Sequence, residues 1–77
     1  MTRTVKRMHM GVEIDFPDAM RPWKHLKSGH TYTVVLMCVI EATGDPSVAY
    51  TRSEEGTHPM WIRPVSEFLD GRFQPVG

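Results

Sequence analysis

The chain has few of the features that give a small domain an easy source of stability. It has 77 residues and one cysteine, Cys38. One thiol cannot close an intramolecular disulfide. A domain of this length buries only roughly 60% of its unfolded surface, so disulfides, metals or oligomerisation commonly supplement the core. Cys38 lies in an apolar run, where a thiol acts as a small hydrophobe. Such usage fits a reducing compartment. Net charge is also missing, because nine Lys and Arg balance nine Asp and Glu. Nucleic-acid binders draw affinity from neutralised phosphates and present a basic surface. The balance therefore argues against general nucleic-acid binding. Arg3, Lys6 and Arg7 make the start basic, but the apolar stretch that follows is short and is interrupted by Glu13 and Asp15. It suits neither a signal peptide nor a membrane span. A soluble cytoplasmic protein, of a bacterium or of a virus-infected host cell, is expected.

Catalytic signatures are absent too. No glycine-rich phosphate loop occurs. Ser28, Ser47, Ser53 and Ser66 lack a glycine-framed elbow, and nucleophilic catalysis needs a base and an orienting group beside the nucleophile. Glu54 and Glu55 are adjacent, so on an extended segment they point apart. His9, His25, His30 and His58 show no zinc-ligand spacing. No catalytic residue, metal site or cofactor is assigned.

Strand signals are plentiful. Residues 1–10 look weakly ordered by themselves. Val12, Ile14 and Phe16 alternate with Glu13 and Asp15, the pattern of a half-buried strand. Pro17 and Pro22 bracket a connection, and the segment from Trp23 to Gly29 reads as polar and basic. Residues 31–41 form the strongest strand, rich in β-branched and aromatic residues. Strict alternation places Tyr32, Val34, Leu36, Cys38 and Ile40 on one face. The other face becomes apolar over residues 35–39, which suggests a covered second side, a bulge or a subunit interface. Gly44-Asp45-Pro46 is a turn. Short strands follow at 48–52, 60–63 and 73–76, with a polar loop at 53–59 and a short turn of helix near 65–69. Pro64 removes a backbone donor and ends its ladder. Asp70-Gly71 is a tight turn. The whole, residues 1–77, reads as one all-β domain: a small barrel of about five strands over residues 23–76, with an extra N-terminal strand. Six methionines offer either an adaptable apolar surface or gap-filling in a small core.

The run from Trp23 to Phe73 resembles a small family of bacterial and phage proteins of unknown function. The resemblance rests on an aromatic-x-His-x-Lys-Gly start (Trp23, His25, Lys27, Gly29), then Tyr32, Val48 and Tyr50, and a Trp-x-Arg-Pro-x-x-x-Phe close (Trp61, Arg63, Pro64, Phe68). The ending from Ser66 to Phe73 is similar to the phage branch. Trp23 stands where the family usually has Tyr, and Ser28 is an extra residue between the Lys and the Gly. The resemblance implies a small SH3-like β-barrel and carries no established activity.

The chemistry worth locating is therefore recognition. Trp61 and Arg63 are two apart and share one strand face. A guanidinium pairs with carboxylate or phosphate and stacks on aromatic planes. The structural alternative pairs Arg63 with Glu67 or Asp70. Tyr32, Tyr50 and Trp23 are candidate stacking surfaces or core. Lys27, Arg52 and Arg72 are candidate cations around such a pocket, and His25 a rim residue. The expected function is non-enzymatic capture of a small, planar, anionic ligand such as a nucleotide-derived immune signal in a phage setting. Trp61 and Tyr50 would stack, and Arg63, Arg52 and Lys27 would hold phosphate. The alternatives are an adaptor that binds a host or phage protein and, behind it, a nucleotide-acting enzyme. A homo-oligomer is expected on size, the lack of a disulfide and the apolar second face.

Overall fold

Prolines mark the strand ends. Pro22 opens β3 (Pro22–His25) and Pro46 opens β5 (Pro46–Arg52), while Pro64 closes β6 (Trp61–Pro64) and Pro75 closes β7 (Phe73–Pro75). A residue without an N–H fits at the end of a ladder or on an edge strand. These strands and β4 (Thr31–Val39) form one antiparallel sheet in the order β6-β5-β4-β3-β7. The computed structural model describes residues 4–76. A separate hairpin pairs β1 (Thr4–His9) with β2 (Val12–Pro17). Its two loop residues, Met10 and Gly11, have φ of 52° and 79°. Two successive positive values match the twist of the flanking strands. Between β6 and β7 lies a single helical turn, α1 (Val65–Phe68). Such a turn is too short to persist alone. It is held by burying Val65 and Phe68.

Three expectations change. Thr4–His9 is a strand, where weak order was expected over residues 1–10; residues 1–3 lie outside the described range. Pro22–His25 is also a strand, although the sequence there shows no alternation. Trp23 alone among its residues is fully buried, so packing rather than local pattern decides it. The third change is in β4. Val34 pairs with Tyr50, but Leu36 pairs with Ala49, with a register shift between them. Val35 is the extra residue of a β-bulge, and one extra residue inverts the alternation beyond it. Met37, opposite Val48, therefore joins the face of Val34 and Tyr32. Leu36 and Cys38, opposite Ala49 and Ser47, lie on the other face.

The expected closure into an SH3-like barrel is not reached: β6 and β7 end the sheet and share no ladder. The sheet is instead strongly coiled. β5 and β7 are three strand positions apart, roughly 14 Å on a flat sheet. Yet the Tyr50 and Phe73 rings lie 5.5 Å apart. The two edges meet through side chains, with the Arg63 guanidinium 5.7 Å from the Phe73 ring centre. Inside the coil sits the core: Trp23, Val34, Val48, Tyr50, Val65, Phe68 and Phe73, joined by Phe16 from the hairpin. Phe68 and Phe73 stack at 4.2 Å with an 11° interplanar angle. No helix among the described residues is long and apolar enough to cross a membrane.

Candidate functional site

Pairing of β5 with β6 sets Trp61 opposite Tyr50 and Arg63 opposite Val48. Cross-strand partners share a face, so Trp61 and Arg63 point inward with the core and Ile62 points out. Pairing of β3 with β7 sets His25 opposite Phe73. Coiling then brings both ends of the sheet around Tyr32. The Tyr32 ring lies edge-on to those of Tyr50, Trp61, Phe73 and His25, at 5.5, 5.6, 5.9 and 6.3 Å. His25, Tyr32, Tyr50, Trp61, Arg63 and Phe73 line an open depression of about 180 Å³. A second depression of about 510 Å³ adjoins it, lined by His25, Leu26, Lys27, Arg63 and Arg72. His25 and Arg63 form the wall common to both.

Arg63 is fixed on three sides. Its Nε donates to the Tyr50 hydroxyl at 3.1 Å, its Nη1 donates to Glu67 Oε1 at 3.3 Å, and its guanidinium stands over Phe73. The bond to Tyr50 holds its pKa above the usual arginine range. His25 is tied differently. The Ser28 amide donates to its Nδ1 at 3.3 Å, and the Ser28 hydroxyl lies 2.8 Å from the same nitrogen. A ring nitrogen that accepts an N–H leaves the proton on Nε2. Burial pushes the His25 pKa down, helped by Arg63, Lys27, His30 and Arg72. Both effects favour the neutral form of the ring.

Five of the seven expected site residues converge on the aromatic depression: His25, Tyr32, Tyr50, Trp61 and Arg63. Lys27 lines the adjoining one. Their parts differ from the expectation. Tyr50 is only 4% exposed, with Phe68 and Phe73 edge-on to its ring. It forms the floor and anchors Arg63, and stacking surface falls to Trp61 and Tyr32. Trp61 is 36% exposed. Trp23 is buried against Phe68 and offers a ligand nothing. Arg52, expected to hold phosphate, lines neither depression. It pairs with Glu54 and donates from Nη2 to His30 Nδ1 at 3.1 Å. Phe73 was not singled out as a site residue. Its place depends on β7 pairing with β3 after the Asp70-Gly71 turn, and while the turn and the return strand are local signals, that pairing is not. The alternative reading of Arg63, an ion pair with Glu67, is present as well, so one residue serves both the fold and the depression.

Among the described residues no three metal-ligating side chains converge. No family model, curated protein or solved structure matches the chain. Trp23, Val48, Tyr50 and Phe68 build the core under the depression, and His25, Tyr32, Trp61 and Arg63 line it.

Proposed function

We propose that the protein is a non-enzymatic binding module for a small planar anion, with nucleotide-derived ligands the favoured class. One observation carries this: an aromatic depression abuts a cationic one, with an immobilised Arg63 between them. A ring would lie against Trp61 and Tyr32, where base–aromatic stacking is worth about 1–3 kcal/mol. Arg63 would meet the charge without losing much freedom on binding, since it is already held. The aromatic depression, at about 180 Å³, is smaller than the roughly 300–1,000 Å³ of pockets that enclose drug-sized ligands. It therefore suits one ring. In a phage-infected cytoplasm, stoichiometric capture of this kind would withdraw a signalling nucleotide from its receptor.

Titration calorimetry against a nucleotide panel tests the proposal. Saturable binding that Trp61→Ala weakens at least tenfold is the expected result. Trp61 is partly exposed, so this variant should fold. Absence of binding across the panel, or unchanged binding by Trp61→Ala, would overturn it.

A second reading, an adaptor or a self-associating module, draws on the outer sheet face. There Leu36 and Ile62, 49% and 58% exposed, flank Ala49 beside the edge strand β6. Light scattering of wild type and of Ile62→Lys is the check. A mass above the monomer that the variant lowers supports self-association, and a monomer in both excludes it.

A further inference from the structure

Two guanidinium groups converge on one oxygen. Arg63 Nη1 and Arg72 Nη1 each donate to Glu67 Oε1 at 3.3 Å. Arg72 Nε also lies 3.0 Å from Asp70 Oδ2. The three chain segments involved are the end of β6, the turn after α1 and the loop after β3. Together they bring Arg63, Arg72 and Lys27 around the larger depression. Lys27 is in no ion pair among the described residues. Glu67 and Asp70 together offset the two arginines, which leaves the charge of Lys27 as the excess at the depression.

We infer that this depression is an anion subsite for a phosphate group, with Glu67 as the resident anion that holds both arginines in position. The inference rests on the ring-binding reading above and specifies the ligand further. His25 and Arg63 wall both depressions, so ring and anion sit side by side. A nucleoside monophosphate, which carries ring and anion in one small molecule, matches that adjacency. Arginine forks match phosphate oxygens in two-bond geometry, while lysine adds a point charge. A phosphate oxygen that reaches Arg63 and Arg72 must share them with Glu67 Oε1 or displace it. Either event sets two anions close together. Glu67 therefore has two opposed effects: it orders the arginines and it weakens the ligand's hold. A glutamine keeps an acceptor oxygen for both arginines and removes the charge.

Calorimetry with the four ribonucleosides and their 5′-monophosphates, on wild type, Lys27→Ala, Arg72→Ala and Glu67→Gln, tests this. One nucleoside should bind, and its monophosphate should bind about tenfold or more tightly, as charge-assisted hydrogen bonds imply. Lys27→Ala and Arg72→Ala should erase most of that gain and leave the nucleoside unaffected. Glu67→Gln should tighten the monophosphate about two- to fivefold, the scale of one partly exposed charge pair. A nucleoside that binds as well as its monophosphate overturns the anion subsite and leaves the ring reading standing. Equal weakening of both probes by Arg72→Ala also overturns the subsite, because it marks a purely structural arginine. If the Glu67→Gln variant binds the monophosphate no more tightly than wild type, the role given to Glu67 falls. Failure of every probe to bind overturns both readings.

Discussion

The five-stranded sheet carries its aromatic side chains across its own width, so Tyr50, Phe68 and Phe73 lock together from β5, α1 and the far edge β7. The β1–β2 hairpin touches that core at few points. Phe16 enters it, Ile14 and Val5 pack against its margin, and His9 Nε2 lies 3.0 Å from the Gly44 carbonyl oxygen. Met8, Met10 and Val12 are 67%, 86% and 63% exposed. Both regions use the same alternating strand pattern. What separates them is the number of side chains that find a partner from a distant segment. Burial in the sheet is cooperative, whereas the hairpin depends on a few anchors, and the candidate site sits on the cooperative part.

The sharpest way to break this contrast is Phe68→Ala. Phe68 is fully buried, and removing such a ring costs about 3–5 kcal/mol. The whole domain should hold only about 4–11 kcal/mol. The variant should lose much of its cooperative urea transition by circular dichroism. Val12→Ala in the hairpin should stay within about 0.5 kcal/mol of wild type. A similar loss from both substitutions would erase the distinction.

Arg63→Ala comes next. It leaves the Tyr50 hydroxyl without its donor at a half-buried position and should cost about 1–2 kcal/mol. Arg63→Lys should recover only part, because an ammonium cannot reproduce the planar fork. The urea midpoint measures both, and a neutral Arg63→Ala would show that the residue is held for its ligand alone.

Met10→Asn acts in the opposite direction. Met10 has a positive φ beside Gly11, a place where Asn-Gly is strongly preferred. The exchange should stabilise the hairpin by about 0.5–1 kcal/mol. Amide exchange should slow in β1 and β2 and stay the same in the five-stranded sheet, if the two regions open independently.

The smallest expected effect is that of pH. His25 has a lowered pKa in the folded chain, mainly through burial. The unfolded chain then binds the proton more readily than the folded one. The resulting stability is fully present above the ordinary value of 6.5 and is lost as pH falls through the folded one. The urea midpoint should drop slightly on acidification through that window. His25→Gln should reduce the drop, and an unchanged slope in this variant would assign the pH dependence elsewhere.

Most of the strands could be read from the chain itself. Alternation of Val12, Ile14 and Phe16, the β-branched run of β4 and the Asp70-Gly71 turn are all local signals, and the structure has strands and a turn there, while the turn expected at Gly44-Asp45-Pro46 falls at residues 41–43 with Pro46 already in β5. Two features were not settled locally. β3 has no alternation of its own and exists because Trp23 fits the core. A bulge was one of three readings of the apolar second face of residues 35–39, and only the pairing with β5 selects it and places it at Val35.

The sequence by itself determined an all-β chain with its turns, and a strand that shows Trp61 and Arg63 on one face. Those features follow from backbone geometry over a few residues, since period-two alternation, proline and glycine act locally. Only the tertiary structure decided that His25 and Phe73 complete the aromatic depression, that Arg52 turns away to Glu54, and that Glu67 draws Arg63 and Arg72 together. These contacts depend on how far the sheet coils. Coiling is set by side chains packing between strands that lie far apart along the chain.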